Sequence, residues 1–177
     1  MIDEYNNFSG AYTIIINNAR YQKSFFNIIE KIFKAFLGDK EVFFGFCRTD
    51  GINLTLEQQN NLKNEIPTFF QKNGDFQNIS DYLTVARIAS NNYWYGFIPQ
   101  IFDYYLDTIM FNPQMEWESF KQFHSNYQEY RVEDIVLNNF ADVLFGYFDS
   151  GDFLICFNPK MYNPKEVRRT IELLFEI

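Results

Sequence analysis

Histidine and cysteine are almost absent from this chain: His124 is the single imidazole, and Cys47 and Cys156 are the only thiols. A histidine-rich metal site is thereby excluded, and a nucleophile–base pair could only join His124 to one of the two cysteines. Both cysteines lie in apolar, strand-like runs, whereas His124 stands among Phe123, Ser125 and Asn126 in a helical stretch. The expectation is a surface or structural histidine and two buried thiols in a reducing compartment. Phosphate loops are missing too, since neither GxxxxGK(S/T) nor GxGxxG occurs. There is no run of eighteen or more apolar residues and no charged-then-apolar leader, which points to a cytoplasmic protein without a membrane span. Basic charge is also short. Lys and Arg total 15 against 23 Asp and Glu, a formal net charge of −8 and a pI of about 4.6. Direct nucleic-acid binding, which needs a basic surface, is not expected.

Large rings are plentiful: 22 Phe and 12 Tyr bring aromatics to 20% of the residues. Such a surplus fills a core and can also reach the surface as a contact site. Asparagine is abundant and often paired, as at Asn17-Asn18 and Asn91-Asn92. Together with Phe, Tyr and Ile, this looks like AT-rich coding. A length of 177 residues suits one domain spanning 1–177.

The clearest elements close the chain. Val143–Phe148 and Phe153–Phe157 are β-branched and aromatic, with Asp149-Ser150-Gly151-Asp152 between them. Gly151 can take positive φ there, so the pair reads as a β-hairpin. Neither run alternates apolar with polar residues, which places the hairpin centrally in its sheet with both faces covered. Asn163 then offers an N-cap, Pro164 a first helical position, and Val167, Ile171, Leu174 and Phe175 one apolar stripe.

Earlier in the chain, Met1–Ser9 is polar and expected to fray, and Ala11–Ile16 reads as a strand. Phe25, Ile28, Ile29, Ile32, Phe33 and Phe36 define an amphipathic helix that stops at Gly38. Val42–Cys47 is a buried strand. Thr55 and Gln58 form a capping-box pattern, opening a helix that Pro67 ends or kinks. Asn73-Gly74-Asp75 reads as a loop. Ser80-Asp81 can cap a helix through Tyr82, Val85, Ala86 and Ile88, although Leu83–Ala89 also fits a strand; helix is the preferred reading. Phe97–Phe111 has near-helical spacing, Asn112-Pro113 starts a helical stretch through Trp117, Phe120, Phe123 and Tyr127, and Val132–Ala141 is a short helix. Strands at both ends with helices between them predict an α+β fold: a mainly antiparallel sheet with a central C-terminal hairpin, packed by amphipathic helices.

The negative charge is concentrated. Between residues 103 and 152 lie ten acids, Asp103, Asp107, Glu116, Glu118, Glu129, Glu133, Asp134, Asp142, Asp149 and Asp152, against Lys121 and Arg131. This stretch carries the whole net charge, because the other thirteen acids and thirteen bases cancel. Trp117, Tyr127 and Tyr130 are interleaved with the acids. An acidic field with aromatic anchors suits a basic protein partner, though acids on solvated helix faces also serve solubility alone. Asp103 and Asp107, four apart on a predicted helix, could share a cation or act as an acid–base pair. With no His at ligand spacing, a solvated face is the simpler reading. The Asp149–Asp152 turn needs no ion, being built from ordinary turn formers. No cofactor or metal is expected.

The ending DFLICFNPKMYNPKEVRRTIELLFEI, a strand followed by a Pro-initiated closing helix, is similar to the ending of some bacterial toxin-immunity proteins. The acidic, aromatic-rich chain as a whole most resembles the immunity partners of contact-dependent growth inhibition systems. The resemblance covers about twenty-five residues by local sequence. It implies a non-enzymatic protein that binds a cognate toxin domain, often a nuclease, and covers its basic cleft. The expected contact residues are Asp103, Asp107, Glu116, Trp117, Glu118, Tyr127, Glu129, Tyr130, Glu133 and Asp134. Two other classes fit the same sequence: a carboxylate-dependent hydrolase built on Asp103, Asp107 or Glu133, and a non-catalytic homo-oligomeric structural or adaptor protein. The oligomeric state is left open.

Overall fold

A computed structural model describes residues 2–6, 10–19, 25–37, 40–48, 55–80, 83–89, 105–126, 136–138, 141–147 and 151–175. Eight strands form one antiparallel sheet: β1 (Ile2–Asn6), β2 (Tyr12–Ile16), β3 (Val42–Arg48), β4 (Gly74–Asn78), β5 (Leu83–Ile88), β6 (Tyr105–Pro113), β7 (Ala141–Tyr147) and β8 (Phe153–Phe157). Their order across the sheet is β1-β2-β8-β7-β6-β3-β5-β4. The helices are α1 (Phe25–Leu37), α2 (Leu56–Asn60), α3 (Ile66–Asn73), α4 (Trp117–Ser125) and α5 (Pro164–Phe175), with a π-helical turn, Asn61–Glu65, joining α2 to α3. The architecture is α+β.

The terminal hairpin lies well inside the sheet, β7 against β6 and β8 against β2. Every residue of β8 is buried, as its unbroken apolar run requires. Gly151 takes φ +83 in the turn. The Asp152 carboxylate accepts the Asn18 backbone N–H at 2.7 Å, tying the hairpin turn to the end of β2. In α5, Asn163 accepts the Lys165 N–H at 3.1 Å, and Val167, Ile171 and Phe175 are buried.

Helices cover both faces of the sheet. On the first face, α1, α3 and α5 pack over a cluster that includes Phe44, Phe46, Phe145, Phe153 and Ile155. Phe33 of α1 meets Phe145 edge-on, with ring centroids 4.9 Å apart. On the second face α4 packs by Trp117 and Phe120 over Phe43 and Val85, and Leu144, Leu154 and Cys156 continue the cluster.

Several elements differ from the sequence expectation. Residues Leu83–Ile88 are strand, not helix: β5 pairs with both β3 and β4, and its backbone donors are taken up by two ladders. Tyr105–Pro113 is also strand. It fills the slot between β3 and β7, where its backbone pairs with a neighbour on each side. The rest of the helix expected over 97–111, residues 97–104, lies outside the described residues. Pro113 therefore ends a strand, and α4 begins only at Trp117. Ile2–Asn6 is a regular strand against β2 rather than a frayed end. Asn73-Gly74-Asp75 is no loop, because α3 runs directly into β4. A Cβ on Gly74 would come within 2.0 Å of the Arg87 carbonyl oxygen, so only glycine allows this close approach.

Pro67 neither ends nor breaks its helix. The chain widens in the turn before it, where the Ile66 N–H bonds to the Asn61 carbonyl, an i to i+5 bond. That wider turn accommodates a residue that has no N–H to give. Upstream, the capping box forms as expected: Thr55 Oγ1 accepts the Gln58 N–H at 3.2 Å and Gln58 Oε1 accepts the Thr55 N–H at 2.9 Å.

Candidate functional site

An open groove of about 460 Å³ lies where the end of β6 turns into α4, beside the start of β3 and the middle of β5. Sheet register assembles it. Asp75, Arg87 and Phe43 are cross-strand neighbours on β4, β5 and β3. Asp75 and Arg87 both reach Trp117, and Phe43 packs against it, so this row faces α4. Glu41, Met115 and Glu116 complete the wall beside Arg87, Phe43 and Trp117.

Trp117 organises the site. Its indole N–H donates to Asp75 Oδ2 at 3.0 Å. Its ring meets Phe43 edge-on at 5.1 Å and stacks with Phe120 at 5.7 Å. The Arg87 guanidinium lies over the ring, 5.3 Å from its centroid, within cation–π range. Arg87 and Glu41 approach to 3.9 Å, and both are only part-buried. Glu116, the residue before the helix, is exposed and its side chain does not cap the first turn.

The other end of α4 is closed. His124 is 1% exposed and stacks on Phe120, with 5.9 Å between the rings. It sits directly over Gly45, where a Cβ would lie 2.4 Å from the imidazole. Burial pushes its pKa down to about 4, because the charged ring would lose its water. A hydrogen bond with the Phe46 backbone opposes that fall without cancelling it. His124 is thus a neutral, packed ring, and Cys156 is buried in β8 on the same face of the sheet.

The expected contact residues do not all share one fate. Glu116 and Glu118 are exposed at the start of α4. Glu118 is paired with Lys121 at 2.6 Å, so its charge is partly compensated. Trp117 corrects the expectation of an exposed ring anchor: at 7% exposure it belongs to the core, its hydrophobic area committed to Phe43 and Phe120 and its N–H to Asp75. Asp107 lies in β6, a strand, so the argument that two carboxylates four apart share a helix face does not hold for it. Asp152 of the acidic stretch is engaged with Asn18. Asp103, Tyr127, Glu129, Tyr130, Glu133 and Asp134 lie outside the described residues.

Sequence reasoning missed Arg87 and Glu41, which stand far from α4 in the chain and join it only through strand pairing. The available signal was the alternation of Val85 and Arg87 along a strand, which puts both on one face. Among the described residues no three His, Cys, Asp or Glu side chains gather at metal-ligand spacing, and no helix is long and apolar enough to cross a membrane. No family model, curated protein or solved structure matches the chain.

Proposed function

We propose that the protein works by binding: it occupies the cationic surface of a basic protein partner and transforms nothing itself. The observation that carries this reading is the charge distribution. Ten acids against two bases fall within 103–152, while the rest of the chain is balanced. Of these acids, Glu116 lines the groove and Glu118 is exposed on the first turn of α4, where an approaching basic surface would meet them. Clustered charge of one sign speeds encounter and orients it, and buried side chains then set the lifetime of the complex. The resemblance to toxin-immunity proteins gives the proposal its concrete form. The partner is a nuclease toxin domain, neutralised in the cytoplasm by a protein that covers the phosphate-binding cleft. A contact of standard size would bury on the order of 1,600 Å² in total.

The test is charge reversal of Glu116, Glu118, Glu129 and Glu133 together, with circular dichroism to check that the fold is kept. A polymorphic toxin terminus encoded immediately upstream is the partner to titrate. Affinity should fall by tenfold or more at low salt, and the loss should shrink as salt rises. A folded quadruple variant that binds as tightly as the parent at low salt removes this surface from the interface.

A further inference from the structure

Arg87 lies in the groove with no hydrogen bond from its guanidinium to a side chain among the described residues. Asp75 is its direct partner across the β5–β4 ladder, so an ion pair between them is the default arrangement. It does not form. Asp75 Oδ2 takes the Trp117 indole N–H at 3.0 Å, and Oδ1 takes the Phe76 N–H at 2.8 Å. The guanidinium lies instead over the indole, and its ion-pair partner among the described residues is Glu41, 3.9 Å from Nη1 and beyond hydrogen-bond reach. A contact with the ring face consumes none of the guanidinium N–H groups.

We propose that this groove binds a free basic α-amino acid, with the ligand carboxylate on Arg87 and its α-ammonium on Glu41. The charges select that class. A simple anion would meet Glu41 and Glu116, and a simple cation would meet Arg87. Arg87 and Glu41 stand 3.9 Å apart, so a molecule whose carboxylate and ammonium are one carbon apart can lie alongside the pair and meet each charge with its opposite, making one charge-assisted contact to each side chain. The lining holds two carboxylates and one guanidinium, so a ligand with two cations and one anion balances it, the second cation going to Glu116. Part-buried Met115 offers an apolar contact for the aliphatic stem at the groove wall. The volume of about 460 Å³ falls within the range of small-ligand sites. This site does not depend on the protein partner proposed above.

The experiment is calorimetric titration of the full chain with L-lysine and L-arginine, beside L-lysine α-amide, Nα-acetyl-L-lysine and L-glutamate. Saturable binding of lysine or arginine is expected, with the amide, the acetyl derivative and glutamate at least tenfold weaker. E41Q, E116Q and R87Q should each weaken binding at least tenfold. The two glutamate changes fall on solvent-accessible side chains and leave the packing alone, so the test survives even if R87Q loosens α4. Charge reversal at Glu118, which is paired with Lys121 and does not line the groove, should weaken a basic protein partner and leave the lysine titration unchanged. The proposal is overturned by any of three results: no saturation by either amino acid up to about 10 mM, equal binding of glutamate or of the amide, or E41Q and E116Q titrating like the parent.

Discussion

The two faces of the sheet are built differently. Under α1, α3 and α5 the packing is dominated by apolar side chains, ring against ring, with Phe33, Phe145 and Phe153 at its centre and the buried Thr84 hydroxyl bonded to Asn78. Under α4 the packing includes a buried imidazole, an indole bonded to a carboxylate, and a guanidinium lying on that indole. Polar groups in a core add less stability than apolar ones, because each must recover the hydrogen bonding it gave up in water. The first face therefore holds the fold together. The second tolerates groups whose chemistry can serve a ligand or a partner, and the groove opens there.

Truncation on the first face should give the largest effect. Phe33→Ala removes a fully buried ring in contact with Phe145 and Phe153 and should cost about 3–5 kcal/mol in urea unfolding. A loss below about 1 kcal/mol would mean that this face is not the main source of stability. Next comes acid. The unfolded chain protonates His124 near 6.5, whereas the folded one resists until about 4. Between those values the unfolded state binds more protons, so stability is fully present above pH 6.5 and falls as pH drops toward 4. The loss from this residue approaches about 3 kcal/mol. Between pH 7 and pH 4 the unfolding free energy of the parent should fall by about 3 kcal/mol more than that of His124→Leu; parallel curves would show that the imidazole takes up its proton in the fold as readily as out of it. The smallest of the three effects concerns fit under α4. Gly45→Ala drives a methyl group into the His124 ring and should cost about 1–3 kcal/mol. Most of that cost should disappear in a His124→Ala background, and strictly additive losses would put the crowding elsewhere.

The legible parts of the fold were those with one-sided chemistry. The α1 and α5 stripes, the Thr55–Gln58 box and the hairpin at Gly151 each rest on a local rule that tertiary contacts had no reason to override. The strands β5 and β6 mimic helices because their apolar residues, Leu83, Val85, Ala86 and Ile88 in one and Leu106, Ile109, Met110 and Phe111 in the other, fall on both faces of the sheet and so at spacings that a helix also allows. The polar edge strand β4 gave the opposite difficulty: GDFQN has turn composition, and only its ladder with β5 makes it a strand. The site was obscured for the same reason. With Arg87 placed on a helix, nothing aligned it with Trp117, and a tryptophan flanked by Glu116 and Glu118 looked like a surface ring. The flanking acids are indeed exposed; the indole turns inward because α4 is amphipathic and Trp117, Phe120 and His124 share its buried side.

The widened turn at Asn61–Glu65 acts as a phase shifter. One additional residue within a helical turn rotates everything before it by about 100° relative to everything after it. Beyond the turn, Ile66 and Phe70 are sealed against the sheet, while Leu56 at the near end is left 75% exposed. In an uninterrupted helix Leu56 would stand about 80° around the axis from Ile66; the added residue carries it to about 180°, so this leucine points to water.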